Sequence, residues 1–399
     1  MKKFGCILTA LLLCLSLSAH AEGLTLYTVS SFAGTDAAAD SYVELLKTFE
    51  EESGCTIVDN SATSSEEWKA SVLNDFAAGN EPDVMFFFAA SADSAPLLSR
   101  VVSIAEINAA YPEAHLPESA ALTEADGKVY AIPVRPYVEG LFVNTDLFAR
   151  YDIPLPTTWV LLENAILRFR EEGITPIAIS LTDIPHYLAE LAILACSSPK
   201  DYLARPKTLE EVPASWYEGM ALIRRLYELG AFPDNAAATT EAATSQLFRS
   251  KKAAMQLDGS WFANSIPAES MDTTMMLPMP AYTEAASPTA VIGGVSMGFY
   301  LTRRAWNDPA KRDAAVALLC HLASEDSLAR LGGYQFSDRL AASYNELLSS
   351  ATQMLPPIQD AMSKPAREVW LLTCVPAVAE GDLSPEDCWR SVMEEKPFE

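Results

Sequence analysis

The stretch from Tyr130 to Ile179 constrains the fold more than any other part of this chain of 399 residues. Two apolar segments, Val129 to Val134 and Gly140 to Asn144, each predict a short buried strand. Thr158 then predicts a helix N-cap, because apolar residues follow it at helical spacing. Three prolines fix the irregular segments between these elements. The order of strands and helix is typical of an α/β domain.

The first third of the chain alternates predicted strands and helices. The predicted strands are Leu24 to Ser30, Thr56 to Val58, and Val84 to Phe88, the last an apolar run that is typical of a strand covered on both faces. Asp36 predicts the cap of the first helix, and Ser64 with Glu67 predicts a capping box for the second. This βαβαβ order predicts a mostly parallel sheet with right-handed crossovers.

Within the first stretch, the segments YAIP, GLFVNTDLF, LPTTW and TPIAI resemble a motif of the form yavP…glyYNkdlF…PpTW…G…Pia. This motif is similar to that of the solute-binding proteins of bacterial ABC importers, specifically the sugar-binding family typified by maltose-binding protein. The resemblance extends loosely over nearly the whole chain after its N-terminal leader.

The resemblance implies a two-lobed periplasmic-binding-protein fold of type II, in which each lobe is a mostly parallel sheet flanked by helices. It implies three crossings between lobes, near residues 134–138, 278–283 and 334–338. The first lobe would hold residues 22–135 and 283–335, and the second residues 136–282 and 336–399. Such proteins close on their ligand by a hinge motion.

The N-terminus predicts a secretory signal peptide over residues 1–21. Lys2 and Lys3 precede an apolar stretch from Phe4 to Leu17, and small residues stand at the cleavage positions. Leu13 precedes Cys14 where a lipidation signal requires a small residue, so we expect a secreted protein, periplasmic or extracellular, without a lipid anchor. The net charge of −25 repels nucleic acid and anionic lipid. It serves solubility or, alternatively, attracts a cationic ligand.

Enzyme and metal chemistry find little support. Gly294 to Gly298 fits the G-x-S-x-G nucleophile elbow around Ser296, but an apolar strand follows where the elbow needs a helix. A secreted serine hydrolase using Ser296 is therefore a minor alternative. No histidine has a second ligand at metal-binding spacing, so we expect no metal and no cofactor. Cys374 and Cys388 flank a turn at Gly381 and could form a disulfide.

The candidate ligand-binding residues are aromatic and polar groups at strand ends and helix starts, where open α/β sheets bind ligands. Trp261 leads, because it matches a position where the family places an aromatic residue against its ligand; the alternative is a core tryptophan. Arg135 and Glu139 could contact a ligand or form an ion pair. The remaining candidates are Ser31, Phe32, Phe87, Phe88, Tyr137, Tyr187, Gly293, Gly294, Glu368 and Trp370. One of Phe87 and Phe88 should point into the core, since strand neighbours alternate.

These observations predict a monomeric solute-binding protein, not an enzyme, that captures a mono- or oligosaccharide in an interlobe cleft and delivers it to an ABC permease. The alternative keeps the fold but changes the ligand to a polyamine, glycerol phosphate or another small polar solute. Ala89 and Ala90 stand where the family commonly has a polar ligand contact. The sequence therefore does not predict which sugar is bound.

Overall fold

The computed structural model describes residues 23–34, 36–91, 94–333 and 336–398. Its strands are β1 Thr25–Val29, β2 Thr56–Asp59, β3 Val84–Phe88, β4 Ile132–Pro133, β5 Tyr137–Asn144, β6 Thr175–Ala178, β7 Ala253–Gly259, β8 Thr274–Leu277, β9 Ala290–Gly294, β10 Met297–Leu301 and β11 Gln353–Leu355. Its α-helices are α1 Ala39–Ser53, α2 Glu66–Ala78, α3 Ile104–Ala110, α4 Thr145–Arg150, α5 Trp159–Glu171, α6 His186–Cys196, α7 Pro199–Tyr202, α8 Ala214–Glu228, α9 Glu241–Arg249, α10 Ala268–Met271, α11 Arg303–Asn307, α12 Arg312–Leu322, α13 Glu325–Gly332, α14 Asp338–Ser350, α15 Lys364–Glu368, α16 Val375–Glu380 and α17 Pro385–Glu394. The chain is therefore α/β, as the sequence predicts.

The chain forms two compact units. Unit 1 contains the described residues up to Pro136 and residues 295–333, whereas unit 2 contains Tyr137–Gly294 and the C-terminal segment 336–398. The first change of unit lies within the predicted range 134–138. The second lies between Gly294 and Val295, and not at 278–283 as predicted, because β9 pairs with β5 and so belongs to unit 2. Two residues of the predicted third crossing lie outside the described residues.

Unit 1 is built on a five-stranded sheet in the order β2-β1-β3-β10-β4. β1 is parallel to both β2 and β3, which confirms the βαβαβ order of the first third. β3 is covered on both faces, since Val84 and Phe86 pack in one apolar cluster while Met85 and Phe87 pack in another. The sheet is mixed, because β10 runs antiparallel to β3 and β4.

Unit 2 is built on a six-stranded sheet in the order β11-β9-β5-β7-β6, with β8 also paired to β5. The strand β5 is buried along its whole length and runs antiparallel to β7, β8 and β9. The prediction of mostly parallel sheets is therefore wrong for both units. β5 and β10 directly follow a change of unit. Each enters its sheet from the end opposite to that at which its neighbours begin, and so it runs antiparallel to them.

Of the three predicted helix caps, one is confirmed, one is shifted by a residue and one is not formed. The Thr158 hydroxyl accepts a hydrogen bond from the Leu161 N–H at 3.3 Å and begins α5 as predicted. The N-cap of α2 is Ser65, one residue after the predicted Ser64. Asp36 does not cap α1 directly, because that helix begins three residues later.

The predicted signal peptide lies outside the described residues. Within the described ranges, none of the helices combines the length and apolar character needed to cross a bilayer. Cys374 and Cys388 are both buried and unbonded as thiols, and the Cys374 thiol lies 3.8 Å from the Cys388 carbonyl oxygen. The two residues are therefore neighbours, and the disulfide that the sequence left open is not formed in this structure.

Candidate functional site

A group of three aromatic side chains lies in unit 2, where β5 begins and β7 ends. The Trp261 ring lies 5.4 Å from the Tyr137 ring and 6.0 Å from the Tyr187 ring, measured between centroids. Tyr137 and Tyr187 are buried, whereas Trp261 remains 37% exposed. Trp261 is therefore not a core tryptophan. We call these three residues the aromatic platform.

Gly259 determines where the Trp261 indole can lie. The indole folds back over this glycine so closely that a Cβ atom there would meet the ring at 2.2 Å. The backbone of Gly259 is extended, with φ −83°, so the glycine is required for space rather than for an unusual dihedral angle. This contact explains the Gly-x-Trp spacing of the turn.

Asp258 is the second-last residue of β7 and is 4% exposed. Its carboxylate accepts hydrogen bonds from the Gly259 N–H at 2.7 Å and the Gln256 side-chain amide at 3.2 Å. Burial, reinforced by the negative charge of Glu241, raises the pKa of Asp258 to about 8. Hydrogen bonds from Gly259, Gln256 and the Trp261 side chain oppose this rise in the pKa.

Two further acids are buried on the other face of the unit 2 sheet. Glu139 follows Tyr137 by two positions on β5, and Glu190 lies on α6 three positions after Tyr187. Each has one carboxylate oxygen without a hydrogen-bond partner. Burial and their mutual repulsion raise the pKa of Glu139, and burial is the main reason that the pKa of Glu190 is raised as well. Buried carboxyl groups therefore lie on both faces of the sheet near the start of β5 and the end of β7.

Gly293 and Gly294 are the last two residues of β9. They pair with Val138 and Tyr137 at the start of β5. A Cβ atom on Gly293 would meet the Tyr137 carbonyl oxygen at 2.4 Å, and Gly294 has φ +149°, so both positions favour glycine. Their role is to let β9 approach the strand that carries Tyr137.

The candidates of unit 1 lie mainly in its core. Phe32 is 1% exposed and stacks on Phe86 at 4.4 Å, so its predicted role in ligand contact is wrong. Phe87 is fully buried, whereas Phe88 is half-buried, which confirms that one of the two points into the core. The half-buried ring of Phe88 lies under the Lys69 ammonium, and Ser31 is buried.

Arg135 forms an ion pair within unit 1. Its guanidinium lies 3.0 Å from the Asp36 carboxylate and 5.3 Å from the centroid of the Phe32 ring. Of the two roles left open for Arg135, the structure thus provides the ion pair.

Trp370 and Glu368 lie away from the aromatic platform. Trp370 is fully buried on the π-helical turn Val369–Cys374 and packs against Trp389 at 5.5 Å. Glu368 is exposed and lies 3.9 Å from Lys364. The predicted ligand contact of Trp370 is therefore wrong, whereas that of the exposed Glu368 stays a prediction.

Asp258, Gln256 and Glu190 are not among the ligand-binding residues predicted from the sequence. A signal for the first two exists, since Gln256 and Asp258 are polar at alternate positions of the otherwise apolar strand β7. Glu190 is a lone acid in an apolar helix, and nothing in its sequence neighbourhood indicates that it reaches Glu139.

The chemistry of a serine hydrolase is not assembled around Ser296. That residue lies between β9 and β10, so a strand follows it where a nucleophile elbow has a helix. His321 is instead bonded to the Leu45 carbonyl oxygen at 3.0 Å. Among the residues that the structure describes, no group of three or more His, Cys, Asp and Glu side chains is placed to hold a metal ion.

Several solved structures share this fold at low sequence identity. One, from work on xylan utilization by the thermophilic bacterium Caldanaerobius polysaccharolyticus, is 21% identical with a TM-score of 0.76, covering 93% of this chain and 99% of its own. A chitin oligosaccharide binding protein is 17% identical with a TM-score of 0.75, covering 89% and 93%. A sugar transporter from Bacillus licheniformis in complex with stachyose is 17% identical with a TM-score of 0.67, covering 94% and 99%.

No curated protein matches this chain in sequence. The family model described as bacterial extracellular solute-binding protein matches residues 33–328, well over half of the chain. This chain therefore belongs to the bacterial extracellular solute-binding protein family.

Proposed function

We propose that this protein captures a mono- or oligosaccharide and delivers it to an ABC permease in the membrane. It acts outside the cytoplasm as a monomer, after removal of residues 1–21, and catalyses no reaction. Family membership supports the role of a receptor rather than an enzyme.

The exposed face of Trp261 is the observation that carries the carbohydrate proposal. An indole that is 37% exposed but backed by two buried tyrosines is a rigid apolar surface, suited to the apolar face of a sugar ring. Most large aromatic side chains of this chain are buried, so the exposure of Trp261 calls for a reason. A stacked ligand supplies one.

The ligands named for proteins of similar fold agree with this proposal. They include stachyose, raffinose and chitin oligosaccharide, each bound by a different protein of similar fold. Because these proteins are all less than 25% identical to this chain, they support the class of ligand and do not select one sugar.

A panel of ligands tests the proposal. Mass spectrometry of ligand released from gently purified protein should identify a glycan, and calorimetry should then show saturable binding of that glycan or of raffinose, stachyose, chitin and xylan oligosaccharides. The proposal fails if none of these binds to protein that is shown to be folded and free of ligand.

A polyamine is the alternative ligand that a specific observation favours. Asp258 and Glu139 lie next to the platform, and acidic groups beside aromatic rings suit a cation. Spermidine therefore belongs in the panel, and spermidine binding without glycan binding would replace the main proposal.

A further inference from the structure

Ile184 combines two features that are unfavourable for folding. It lies in the segment 179–185 between β6 and α6, which we call the β6–α6 loop. Its backbone has φ +59°, a left-handed conformation that is a rare exception for a β-branched residue. Its side chain is 37% exposed, whereas the loop residues Leu181 and Pro185 are buried. A residue that is both strained and exposed calls for a reason other than stability.

The surrounding structure holds the β6–α6 loop in this conformation. The Ser180 hydroxyl donates to the Thr239 carbonyl oxygen at 2.7 Å and accepts from the Asp183 N–H at 2.9 Å. The Asp183 carboxylate in turn accepts from the N–H of Glu241, the first residue of α9, at 2.8 Å. Ser180 is 1% exposed, so its hydrogen bonds are shielded from water. These contacts fix the chain up to the residue before Ile184, so that the fold, and not the preference of isoleucine, sets its backbone.

The β6–α6 loop leaves the sheet at the same edge as the aromatic platform. β6 is parallel to β7, with Ala178 opposite Gln256. The carboxyl ends of parallel neighbours meet at one edge of a sheet, so this loop and the turn that carries Trp261 start side by side. Tyr187 of the platform is three residues after Ile184, a length of chain that spans at most about 11 Å. Ile184 therefore lies close to the aromatic platform.

We propose that Ile184 is a second apolar contact for the ligand, next to the aromatic platform. This inference rests on the proposed function, in which the ligand is a sugar that stacks on Trp261. The C–H groups of a sugar ring are apolar, and covering them with an exposed aliphatic side chain removes both surfaces from water. Glycine would fit this backbone without strain but offers no apolar surface. Isoleucine supplies that surface at the expense of backbone strain.

This role gives stability and affinity opposite responses to mutation. A side chain that only packs within the protein lowers the stability of the fold when it is removed. A strained side chain that serves the ligand leaves stability unchanged or raises it on removal, while the affinity falls. The sign of the two changes therefore separates a ligand contact from a packing residue.

The first experiment detects the contact directly. In protein labelled with ¹³C at the isoleucine δ1 methyl groups, the Ile184 resonance is assigned by its loss in Ile184→Val. In protein saturated with the panel sugar that binds most tightly, this methyl group should show nuclear Overhauser effects to protons of the sugar. The methyl group of Ile223, which is fully buried on α8, is the control and should show none. Absence of these effects at Ile184 would overturn the proposal.

The second experiment compares affinity with stability. Ile184→Asn keeps the backbone, because asparagine tolerates the left-handed region, but it removes the apolar surface. We expect calorimetry to show an affinity weaker by about threefold to tenfold, and a melting temperature that does not fall. Ile184→Val keeps a branched apolar side chain and should retain most of the affinity. Asp152→Asn is the matched control, since Asp152 is exposed with φ +51°, and it should leave the affinity unchanged.

Each outcome of the second experiment decides for or against the proposal. An unchanged affinity in Ile184→Asn would overturn it. Affinity and melting temperature that fall together would also overturn it, because Ile184 would then be a packing residue. If no panel sugar binds the wild type, the proposed function fails and this inference fails with it. If sugar binds wild type and Ile184→Asn equally, the function stands and only the inference fails.

Discussion

The two units treat aromatic residues at their strand ends in opposite ways. In unit 1, Phe32 and Phe87 pack inward as the sheet folds. In unit 2, Trp261 follows β7 on a turn and keeps one face open. Phe87 lies within β3, where a residue must point to one of two faces, and both faces of this strand are covered.

The acids differ in the same way. Asp36 of unit 1 has the cationic partner Arg135, whereas burial and other acids dominate the surroundings of Glu139 and Asp258 in unit 2. Buried acids without a cationic partner lower stability unless they serve another purpose. We therefore expect the unit 1 residues to matter for folding and the unit 2 residues to matter for binding.

The largest effect should come from Phe87→Ala. Removal of this fully buried ring, which packs against Trp68 at 5.3 Å, should lower the free energy of unfolding by about 3–5 kcal/mol. Urea denaturation followed by circular dichroism measures the loss. Phe88→Ala is the matched control, because its half-buried ring should cost less. Equal losses of unfolding free energy for Phe87→Ala and Phe88→Ala would contradict the assignment of the two rings to different faces of β3.

Glu139→Gln should stabilise the protein at high pH. The folded pKa of Glu139 is raised, so the protonated form is favoured on folding and the wild type loses stability as the pH rises from about 4.3 through the folded pKa. The variant has no charge to bury and should be more stable by on the order of 1–3 kcal/mol at pH 8, with the difference disappearing near pH 4. Thermal melts across pH measure it, with exposed Glu284→Gln as the control. A pH-independent difference would contradict this explanation.

Trp261→Ala should affect binding and leave folding nearly intact. Loss of the stacking surface should weaken sugar affinity by about 1–3 kcal/mol, roughly tenfold to a hundredfold, while the melting temperature changes little. Trp370→Ala is the matched control, since that fully buried ring should lower stability without changing the affinity of the folded protein. If Trp261→Ala instead melts far earlier and binds normally, Trp261 has no place in the site.

The sequence predicts elements better than it predicts which side of them a residue faces. Local signals such as Thr158 at the start of α5 need only neighbouring residues, and so they are reliable. The pairing of Gly293 with Val138 joins positions far apart in the chain. This long-range pairing places the second unit boundary after Gly294 and not in the predicted range 278–283. All three residues of the platform are among the sequence candidates, and Trp261 leads them because it matches a position where the family places an aromatic residue. The hydrogen bonds of Gln256 depend on α9 packing against β7, which periodicity does not reveal.

The smallest effect separates the two roles left open for Arg135. If the ion pair with Asp36 is its main task, Arg135→Met should leave sugar affinity unchanged, because Asp36 also belongs to unit 1. The double-mutant cycle with Asp36→Asn should give a coupling energy of up to about 1 kcal/mol in stability, since the pair is only partly shielded from water. Added salt should reduce this coupling. A change in affinity beyond twofold in Arg135→Met, with stability unchanged, would instead assign Arg135 to the ligand. It would also remove the contrast between the two units, because unit 1 would then supply a binding residue whose side chain also forms an ion pair with Asp36.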